Sequence, residues 1–476
     1  MDDLWKLPAH KLANGYAAGR FTPQQALEAC LARTAQCNPV LNAVIALDVE
    51  GAMAAAREST ARWRRGAPLG ALDGVPITVK DNLHVRGMPT HWGSRALAGF
   101  VPDSDELPVA RLRAAGALIF GKTNVPEFAM QGYTDNLVFG TSGNPWQPAL
   151  TPGGSSGGAV AAVASGCSPL ALGTDGGGSI RRPASHTGLV GFKPSPGRLP
   201  RGGGLPEIFM RYEVVGPLAR CMADAMAMAE ALGDFDPRDP DSRRFADVPL
   251  QLPPRPCRVL YVPRFGDHPV DACIAGRTEE AAQGLRALGH TVETAQAFTL
   301  AEEVNEKWSL LSQTGLAWLV EQGGRQLPFC PRLDAGTFDT AAQANVSAGA
   351  DLRAVQLFDL LMAVERMRAE LSLLFDRYDL LLTPAAAALP WPAAQTHPPV
   401  IAGREVGPRG HAVFTAFANA AGLPAIALPC GFAEGLPVGI QLVAAPAEDA
   451  LLLAIARQFE QAFPTQPGFP LDGDGL

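Results

Sequence analysis

Residues 151–158 of this chain read Thr151-Pro152-Gly153-Gly154-Ser155-Ser156-Gly157-Gly158, and the apolar run Ala159 to Ser165 follows directly. Glycine has no Cβ, so a segment of this kind lets the backbone approach a bound group closely. The N-terminus of the following helix would add N–H groups that have no partner within the helix. The segment therefore predicts a turn that enters a helix and suits an anion or an oxyanion.

A second glycine turn reads Gly173-Thr174-Asp175-Gly176-Gly177-Gly178-Ser179-Ile180-Arg181-Arg182-Pro183 and is also predicted to enter a helix. Taken alone, the first turn matches G-x-S-x-G, the nucleophile elbow of α/β-hydrolases, which would make Ser156 the nucleophile with a later Asp and His. A phosphate loop fits less well, because no Lys-Ser or Lys-Thr follows the glycines. A third interpretation is that these turns only connect secondary-structure elements, but it does not explain why a serine-bearing glycine turn occurs twice.

The remainder of the chain alternates strand and helix patterns, which indicates an α/β architecture. Gly74 to Asn82 is a strand-like run that ends in a polar cluster containing Lys80. Helices are predicted near 22–34, 48–65, 108–115, 125–130, 159–165, 222–232, 272–288, 299–322, 351–376 and 449–463. Strands are predicted near 42–47, 75–80, 117–120, 258–262, 291–294, 379–382, 425–428 and 439–443. The proline-containing stretches 233–256 and 384–408 are predicted to be long surface connections.

Composition excludes several classes of protein. With 47% hydrophobic and 18% charged residues, the 476-residue chain can bury a large core and remain soluble. The net charge of −8 and the pI of 5.6 leave no basic surface for phosphates, so neither nucleic acid nor a membrane is an expected partner. Eight scattered cysteines favour reduced thiols over a disulfide framework. No signal peptide and no uncharged apolar stretch of about 18 residues is found, and the expected location is cytoplasmic.

Together these segments resemble the amidase signature family, serine hydrolases that cleave amide bonds. The resemblance rests on the two glycine turns with the helix between them, and on Gly188 to Pro194 and Val79-Lys80-Asp81-Asn82. Gly121-Lys122-Thr123-Asn124, Ala421 to Ala425 and Gly435 to Gly439 are similar to the family as well, so the resemblance covers residues 20–460.

The resemblance implies the amidase signature fold, an α/β fold with a large central mixed, twisted β-sheet covered by α-helices on both faces. We expect residues 1–476 to form a single catalytic domain. Its predicted parts are an N-terminal helical segment (1–66), a signature core (70–216) and a C-terminal part (217–476).

The resemblance also implies that Ser179 is the nucleophile, Ser155 the bridging serine and Lys80 the base, with a cis peptide bond between Gly154 and Ser155. A serine hydroxyl needs an adjacent base, and a lysine amine can serve only when it is neutral. The pKa of Lys80 would have to fall by about three units from its ordinary value, a shift that burial can supply. The apolar residues that precede Lys80 are compatible with such burial.

The turn around Ser179 is expected to hold the oxyanion of the tetrahedral intermediate. Backbone N–H groups of Gly176, Gly177, Gly178 and Ser179 are the expected donors. Gly176 departs from the family pattern, in which Thr or Ile is usual at this position. On family analogy, a supporting polar shell is expected from Ser156, Asp175 and Arg181.

Other polar and aromatic residues receive structural interpretations. Lys122 and Lys193 are predicted to be structural, and His84 and His91 lack the spacing of metal ligands, so neither a metal nor a cofactor is expected. Arg182 could instead bind a substrate carboxylate. Four aromatic residues are predicted to pack in the core, with a substrate pocket as the alternative: Trp92, Phe128, Phe139 and Trp146.

The predicted function is an amidase that hydrolyses the C–N bond of a small, neutral, hydrophobic or aryl amide through a Ser179 acyl-enzyme. A carbamate or urethane hydrolase is an alternative, because the same acyl transfer works on any carbonyl with a nitrogen leaving group. A further alternative is the glutaminase A-type subunit of a tRNA-dependent amidotransferase, against which the segment Ser195 to Gly216 and the glycine at 176 both argue. An inactive binding protein is disfavoured because Lys80, Ser155 and Ser179 are all present.

Substrate choice is expected to reside in the stretches least similar to the family, at 200–213, 300–350 and 385–410. The apolar residues within 205–210 favour neutral substrates over free glutamine. The expected partner is a small-molecule amide or carbamate, and a homodimer stays open as an assembly.

Overall fold

The computed structural model describes residues 3–327, 333–465 and 468–471. Its helices are α1 (Ala9–Ala17), α2 (Pro23–Leu41), α3 (Val49–Arg64), α4 (Leu107–Ala114), α5 (Gly157–Ala164), α6 (Arg181–Thr187), α7 (Met222–Leu232), α8 (Ala272–Ala287), α9 (Glu302–Lys307), α10 (Ser309–Gln326), α11 (Thr340–Ala350), α12 (Ala354–Arg377), α13 (Ala416–Ala420) and α14 (Asp449–Ala462). Its strands are β1 (Val44–Leu47), β2 (Pro76–Lys80), β3 (Leu118–Thr123), β4 (Leu170–Asp175), β5 (Val190–Lys193), β6 (Val214–Ala219), β7 (Arg258–Tyr261), β8 (Thr291–Thr294), β9 (Leu380–Pro384), β10 (Val400–Ile401), β11 (Arg404–Glu405), β12 (Ala425–Ala433) and β13 (Leu436–Ala444).

The local sequence determines where the first long helices begin. Thr22 Oγ1 accepts a hydrogen bond from the N–H of Gln25 at 3.3 Å, and the Gln25 side chain accepts one from the N–H of Thr22 at 2.8 Å. This reciprocal pair is a capping box, and it starts α2. Asp48 likewise accepts from the N–H of Gly51 at 2.9 Å and starts α3. Both helices therefore begin at the residues that the sequence predicted.

A single sheet of 11 strands crosses the described chain in the order β1-β3-β2-β4-β6-β5-β12-β13-β9-β7-β8. β2 is parallel to both β3 and β4, and β7 is parallel to both β8 and β9. The other neighbouring strands of the sheet pair antiparallel. The sheet is therefore mixed, and it combines strands from the N-terminal, central and C-terminal parts of the sequence.

Helices cover both faces of this sheet. Successive side chains of β4 point to opposite faces, as the pleat requires. Leu170 and Leu172 pack in the core cluster that contains residues of α7 and α14, whereas Ala171 packs in the cluster formed with α5 and α6. Burial on both faces explains why the central strands have nearly continuous apolar sequences. These features confirm the predicted α/β class with helices on both faces.

Two predicted helices differ from the structure. Residues 125–130 form a short 3₁₀ turn, Glu127–Ala129, instead of a helix, because Phe128 and Ala129 have positive φ values of 53° and 57°. In this conformation Phe128 packs edge-on against Trp92, with ring centroids 5.4 Å apart. The helix predicted over 299–322 is divided into α9 and α10 at Trp308, whose φ of −58° and ψ of −33° remain helical.

Part of the predicted surface connection 384–408 is buried, which corrects that prediction. Ala385, Ala386, Ala387 and Ala388 and the nearby Trp391 are each at most 3% exposed. Their small or apolar side chains can enter the core next to β9. The same segment ends in the short hairpin of β10 and β11.

Five cysteines are buried and two are partly buried. Residues 328–332, which include Cys330 and belong to the predicted specificity stretch 300–350, lie outside the described residues. Over the ranges that the structure describes, no helix is both long and apolar enough to cross a membrane.

Candidate active site

Lys80 and Ser179 lie at one edge of the sheet. Lys80 is the last residue of β2, and Ser179 follows the end of β4. These strands are parallel neighbours, with Val79 opposite Leu172, so their carboxyl ends meet at the same edge. Ser155 lies in the turn just before α5, a helix that contacts both strands. The topology thus brings the two glycine turns to the end of the strand that carries Lys80.

The amino group of Lys80 is surrounded by neutral oxygen atoms. Its Nζ forms hydrogen bonds with Ser155 Oγ at 2.8 Å and with Thr174 Oγ1 at 2.9 Å, and it lies 3.3 Å from the Thr174 carbonyl oxygen. The side chain is fully buried. Burial lowers the pKa of Lys80 to about 7, against the opposing effect of the carboxylates of Glu213 and Asp175. Near neutral pH, a substantial fraction of this amine can therefore accept a proton.

The serine-rich turn is fixed directly against the Ser179 turn. The Gly154–Ser155 peptide bond is cis, as expected from the resemblance. The N–H of Ser156 donates to the carbonyl oxygen of Ser179 at 3.2 Å. The Ser156 hydroxyl is fully buried and donates to the Thr174 carbonyl at 3.2 Å, so it serves to hold the end of β4. This position disfavours the nucleophile-elbow interpretation.

A buried ion pair shapes the turn around Ser179. Asp175 Oδ1 lies 2.8 Å from Arg181 Nη2, and Asp175 Oδ2 accepts from Arg181 Nε at 3.0 Å. The same carboxylate accepts from the N–H groups of Gly178 at 2.6 Å and Ile180 at 3.1 Å. Burial alone would raise the pKa of Asp175, but Arg181 and these donors hold it well below its usual range. The turn is therefore organised around a permanent carboxylate.

The backbone donors of this turn are not equivalent. The N–H of Gly178 is engaged by Asp175, which corrects the expectation that it is free to meet an oxyanion. Within the described residues, the N–H groups of Gly176, Gly177 and Ser179 form no hydrogen bond. Ser179 itself is 7% exposed. These three N–H groups are the ones that can meet a developing negative charge beside Ser179.

The glycine at position 176 leaves room for a neighbouring aromatic ring. A Cβ on Gly176 would lie 3.2 Å from Phe209 Cγ and 3.5 Å from Glu213 Cβ. Phe209 belongs to the stretch 200–213, in which the sequence predicted substrate specificity. The space that a Thr or Ile side chain would take is thus occupied by this stretch.

A group of polar residues from the C-terminal part supports the turns, and the sequence did not predict it. Arg181 donates to Gln441 Oε1 and to Asn419 Oδ1, each at 2.6 Å, and to the Thr415 carbonyl at 3.0 Å. Thr415 Oγ1 in turn donates to the Gly177 carbonyl at 2.8 Å. A detectable sequence feature was present, since Gln441 lies inside the apolar run of β13 and Asn419 inside the alanine-rich α13.

Arg182 joins the two glycine turns to each other. Its Nη1 donates to the Gly177 carbonyl at 2.8 Å, and its Nη2 lies 3.5 Å from the Gly154 carbonyl. The side chain is 5% exposed. Arg182 is therefore bound to backbone of both turns, which accounts for its position without a substrate carboxylate.

The remaining residues singled out from the sequence lie in separate surroundings. Lys122 Nζ pairs with Asp81 Oδ1 at 3.2 Å, and both side chains are fully buried. Lys193 is also fully buried and donates to the Pro194 carbonyl at 2.8 Å. His84 packs on Phe100, and His91 lies beside Asp81.

The four aromatic candidates do not share one pocket. Trp92 and Phe128 pack together in the core, as predicted. Phe139 and Trp146 are partly exposed. Phe139 packs on His91, whereas Trp146 packs on Phe432.

Comparison with known proteins agrees with this architecture. The sequence model of the Amidase family matches residues 25–453. The glutamyl-tRNA(Gln) amidotransferase A subunit of Symbiobacterium thermophilum is 34% identical over 480 residues, which cover 96% of each chain. A bacterial aryl acylamidase of the amidase signature family superposes with a TM-score of 0.88 at 29% identity, covering 96% of both chains. The peptide amidase of Stenotrophomonas maltophilia superposes with a TM-score of 0.80 at 27% identity, covering 98% of this chain and 99% of that one.

At one edge of this mixed sheet, a buried lysine meets two serine-containing turns. This arrangement defines a hydrolase of the serine amidohydrolase class, which acts on C–N bonds. The chain belongs to the amidase signature family.

Proposed function

We propose that the chain is a cofactor-free amidase that hydrolyses small, neutral, hydrophobic or aryl amides, with Ser179 as nucleophile. The observation that supports this most is the 2.8 Å hydrogen bond between Lys80 Nζ and Ser155 Oγ. It lies in a buried position where the pKa of the amine is lowered to about 7. A base whose pKa lies near the working pH is the most effective in proton transfer.

In the proposed reaction, neutral Lys80 takes the proton of Ser155 Oγ while Ser155 takes the proton of Ser179 Oγ. Ser179 Oγ forms a bond to the carbonyl carbon of the substrate, and the electron pair of the C=O bond moves to the oxygen. The N–H groups of Gly176, Gly177 and Ser179 stabilise this oxyanion, and removing one such donor typically costs about 3 to 4 kcal/mol in the transition state.

Collapse of the tetrahedral intermediate breaks the C–N bond, and the electron pair leaves with the nitrogen. The proton returns from Lys80 through Ser155 to the departing amine. Water then attacks the Ser179 ester by the same relay and releases the carboxylic acid.

The surroundings of the turn favour an apolar substrate. Phe209 lies against Gly176 and Trp308 against Gly177, and Tyr212 packs edge-on against Trp308 with ring centroids 5.5 Å apart. These rings come from the stretches 200–213 and 300–350. Apolar walls next to the reacting serine favour hydrophobic or aryl groups over charged ones.

We further propose that residues 1–476 act as one catalytic domain, because strands from all three parts of the sequence share one sheet. The net charge of −8 supports a small-molecule partner rather than nucleic acid. We place the enzyme in the cytoplasm, and a homodimer is the oligomeric state that we consider for it.

The 34% identity to amidotransferase A subunits makes glutamine hydrolysis within a complex the second candidate. A carbamate hydrolase shares the same mechanism and is the third. A panel of anilides, primary amides, carbamates and glutamine, assayed on the isolated chain, separates the three. We expect the highest kcat/KM on anilides or other neutral apolar amides, whereas a preference for glutamine or for carbamates would select the corresponding alternative.

The nucleophile is tested with Ser179→Ala and the matched variant Ser156→Ala. Ser179→Ala should lower kcat/KM by more than about 10³-fold, since a nucleophile that acts with its base as one unit accounts for most of the rate. Ser156→Ala should retain most of the activity, and a fluorophosphonate probe should label Ser179. Labelling of Ser156, with Ser179→Ala still active, would overturn the assignment.

A further inference from the structure

Trp308 turns the N–H edge of its indole ring towards the nucleophile turn. A Cβ built on Gly177 would lie 3.0 Å from Trp308 Nε1 and 3.6 Å from Trp308 Cδ1. Gly177 lies two residues before Ser179, and its N–H is one of the proposed oxyanion donors. The indole N–H therefore lies next to the backbone of the turn that carries the proposed nucleophile.

This N–H group has no acceptor. Trp308 is 2% exposed, and its Nε1 is buried without a hydrogen-bond partner among the described residues. An indole nitrogen can only donate, and a buried donor left unpaired is unfavourable because it has lost its hydrogen bonds to water. The carbonyl oxygen of Gly177 already accepts from Arg182 and Thr415 at 2.8 Å each. An acceptor supplied by a ligand would satisfy the indole.

The donor is also held in a fixed position. Trp308 joins α9 to α10 with helical backbone angles, and its ring packs edge-on against Tyr212 at an interplanar angle of 75°. One turn earlier, Asn305 Nδ2 donates to the Val413 carbonyl at 2.7 Å and ties the same helix to the segment before α13. A donor fixed in advance loses little entropy when a ligand binds.

We propose that Trp308 Nε1 donates a hydrogen bond to a neutral oxygen acceptor in the acyl half of the substrate. The leaving nitrogen must face Ser155, which returns its proton, and the oxyanion faces the backbone donors of the Ser179 turn. The acyl substituent is the part that remains to lie along the Cα of Gly177, the side that the indole N–H faces. The preferred substrates are thus amides whose acyl chain carries an ether, carbonyl or hydroxyl oxygen close to the scissile carbonyl. This inference rests on the proposed amidase function.

Two anilides test the proposal, because methoxyacetyl and butyryl anilides differ by one ether oxygen in place of a methylene group. The ratio of their kcat/KM values is measured in the wild type and in Trp308→Phe, so that intrinsic reactivity cancels. Trp92→Phe is the matched control, since Trp92 is 4% exposed and its Nε1 likewise has no partner, but its ring packs on Phe128 in the core.

Loss of one hydrogen bond of ordinary strength should reduce the preference for the methoxyacetyl anilide by about 5- to 10-fold in Trp308→Phe. Trp92→Phe should keep the wild-type ratio. An unchanged ratio in Trp308→Phe, or an equal change in Trp92→Phe, overturns the proposal. If Trp308→Phe fails to fold, β-(3-benzothienyl)alanine at position 308 removes the N–H while it keeps the shape of the ring. The ratio of kcat/KM values for the two anilides in that variant then tests the proposal in the same way. A wild type that cleaves neither anilide would instead reject the proposed amide substrate class, and this inference with it.

Discussion

Glu213 is predicted to set the pH range in which Lys80 acts as a base. Glu213 Oε1 lies 3.5 Å from Asn82 Nδ2, which donates to Thr174 Oγ1 at 3.0 Å. The same hydroxyl oxygen lies 2.9 Å from Lys80 Nζ. A negative charge at Glu213 favours the ammonium form of Lys80 and so raises its pKa, against the larger lowering effect of burial. The substitution Glu213→Gln removes this charge while it keeps the shape of the side chain.

The size of the effect follows from Coulomb's law. The hydrogen bonds that join Glu213 Oε1 to Lys80 Nζ span at most about 9.4 Å. At an effective dielectric constant of about 20, two unit charges at this distance interact by roughly 1.8 kcal/mol. That energy corresponds to about 1.3 pKa units. Arg201, which forms an ion pair with Glu213, keeps its charge in the variant and continues to disfavour the ammonium form of Lys80. We therefore expect the pKa of Lys80 to fall by about one unit in Glu213→Gln.

The assay is kcat/KM for a neutral anilide, measured from about pH 5 to about pH 9. In the wild type the activity should fall as the pH drops through about 7, because Lys80 becomes protonated. In Glu213→Gln this fall on the acidic side of the profile, the acidic limb, should move to lower pH, because the amine of Lys80 then stays neutral at lower pH. Glu106→Gln is the matched control, because Glu106 is the second carboxylate bound to Arg201, at 2.7 Å.

The limb should stay in place in Glu106→Gln, and thermal unfolding monitors the fold of both variants. A limb that does not move in Glu213→Gln, or that moves to higher pH, would refute the reasoning. An equal shift in both variants would show that Arg201, rather than the charge of Glu213, governs Lys80.

Two further substitutions probe the turn itself. Asp175→Asn leaves the buried Arg181 guanidinium without its carboxylate, so the free energy of unfolding in urea should fall by about 3 to 5 kcal/mol, and an unchanged midpoint would contradict the role of the pair. Gly176→Thr places a Cβ 3.2 Å from Phe209 Cγ and should destabilise the chain by about 1 to 3 kcal/mol. Phe209→Leu should recover part of that loss in the double variant if the ring is the cause, and calorimetry on both variants measures it.

The sequence predicted the part of the site whose chemistry is local. Glycines around Ser155 and Ser179 indicate close backbone approach wherever they occur, and a lysine at the end of an apolar strand indicates burial. The alternation of strands and helices was sufficient for the fold class. The strand order was not predicted, because it depends on pairings between distant segments such as β5 with β12.

The residues that the sequence did not predict act across long separations. Asn419 and Gln441 reach Arg181 only because α13 and β13 fold back beside the turn. Phe209 and Trp308 come to Gly176 and Gly177 from stretches without a family-like pattern. A polar residue inside an apolar run can be read as buried and bonded, but its partner cannot be deduced from a single sequence.

Burial of a lysine does not by itself identify a base, and this chain contains the comparison that separates the two cases. Lys80 and Lys193 are both fully buried, and burial lowers the pKa of each to about 7. Lys122 is equally buried and also lies 2.9 Å from a hydroxyl oxygen, Thr90 Oγ1, but it is paired with the Asp81 carboxylate at 3.2 Å. Lys193 donates to a backbone carbonyl, which has no proton to yield.

A neutral amine can activate only a group that has a proton to give, and Lys80 Nζ lies 2.8 Å from a hydroxyl oxygen, that of Ser155. The bonding partner of the amine, rather than its pKa, therefore distinguishes the proposed base from Lys193. The paired Asp81 carboxylate, which favours the ammonium form, distinguishes it from Lys122. By the same argument, Lys193→Met should leave the acidic limb of the pH profile in place, whereas Lys80→Met should abolish the activity over the whole range.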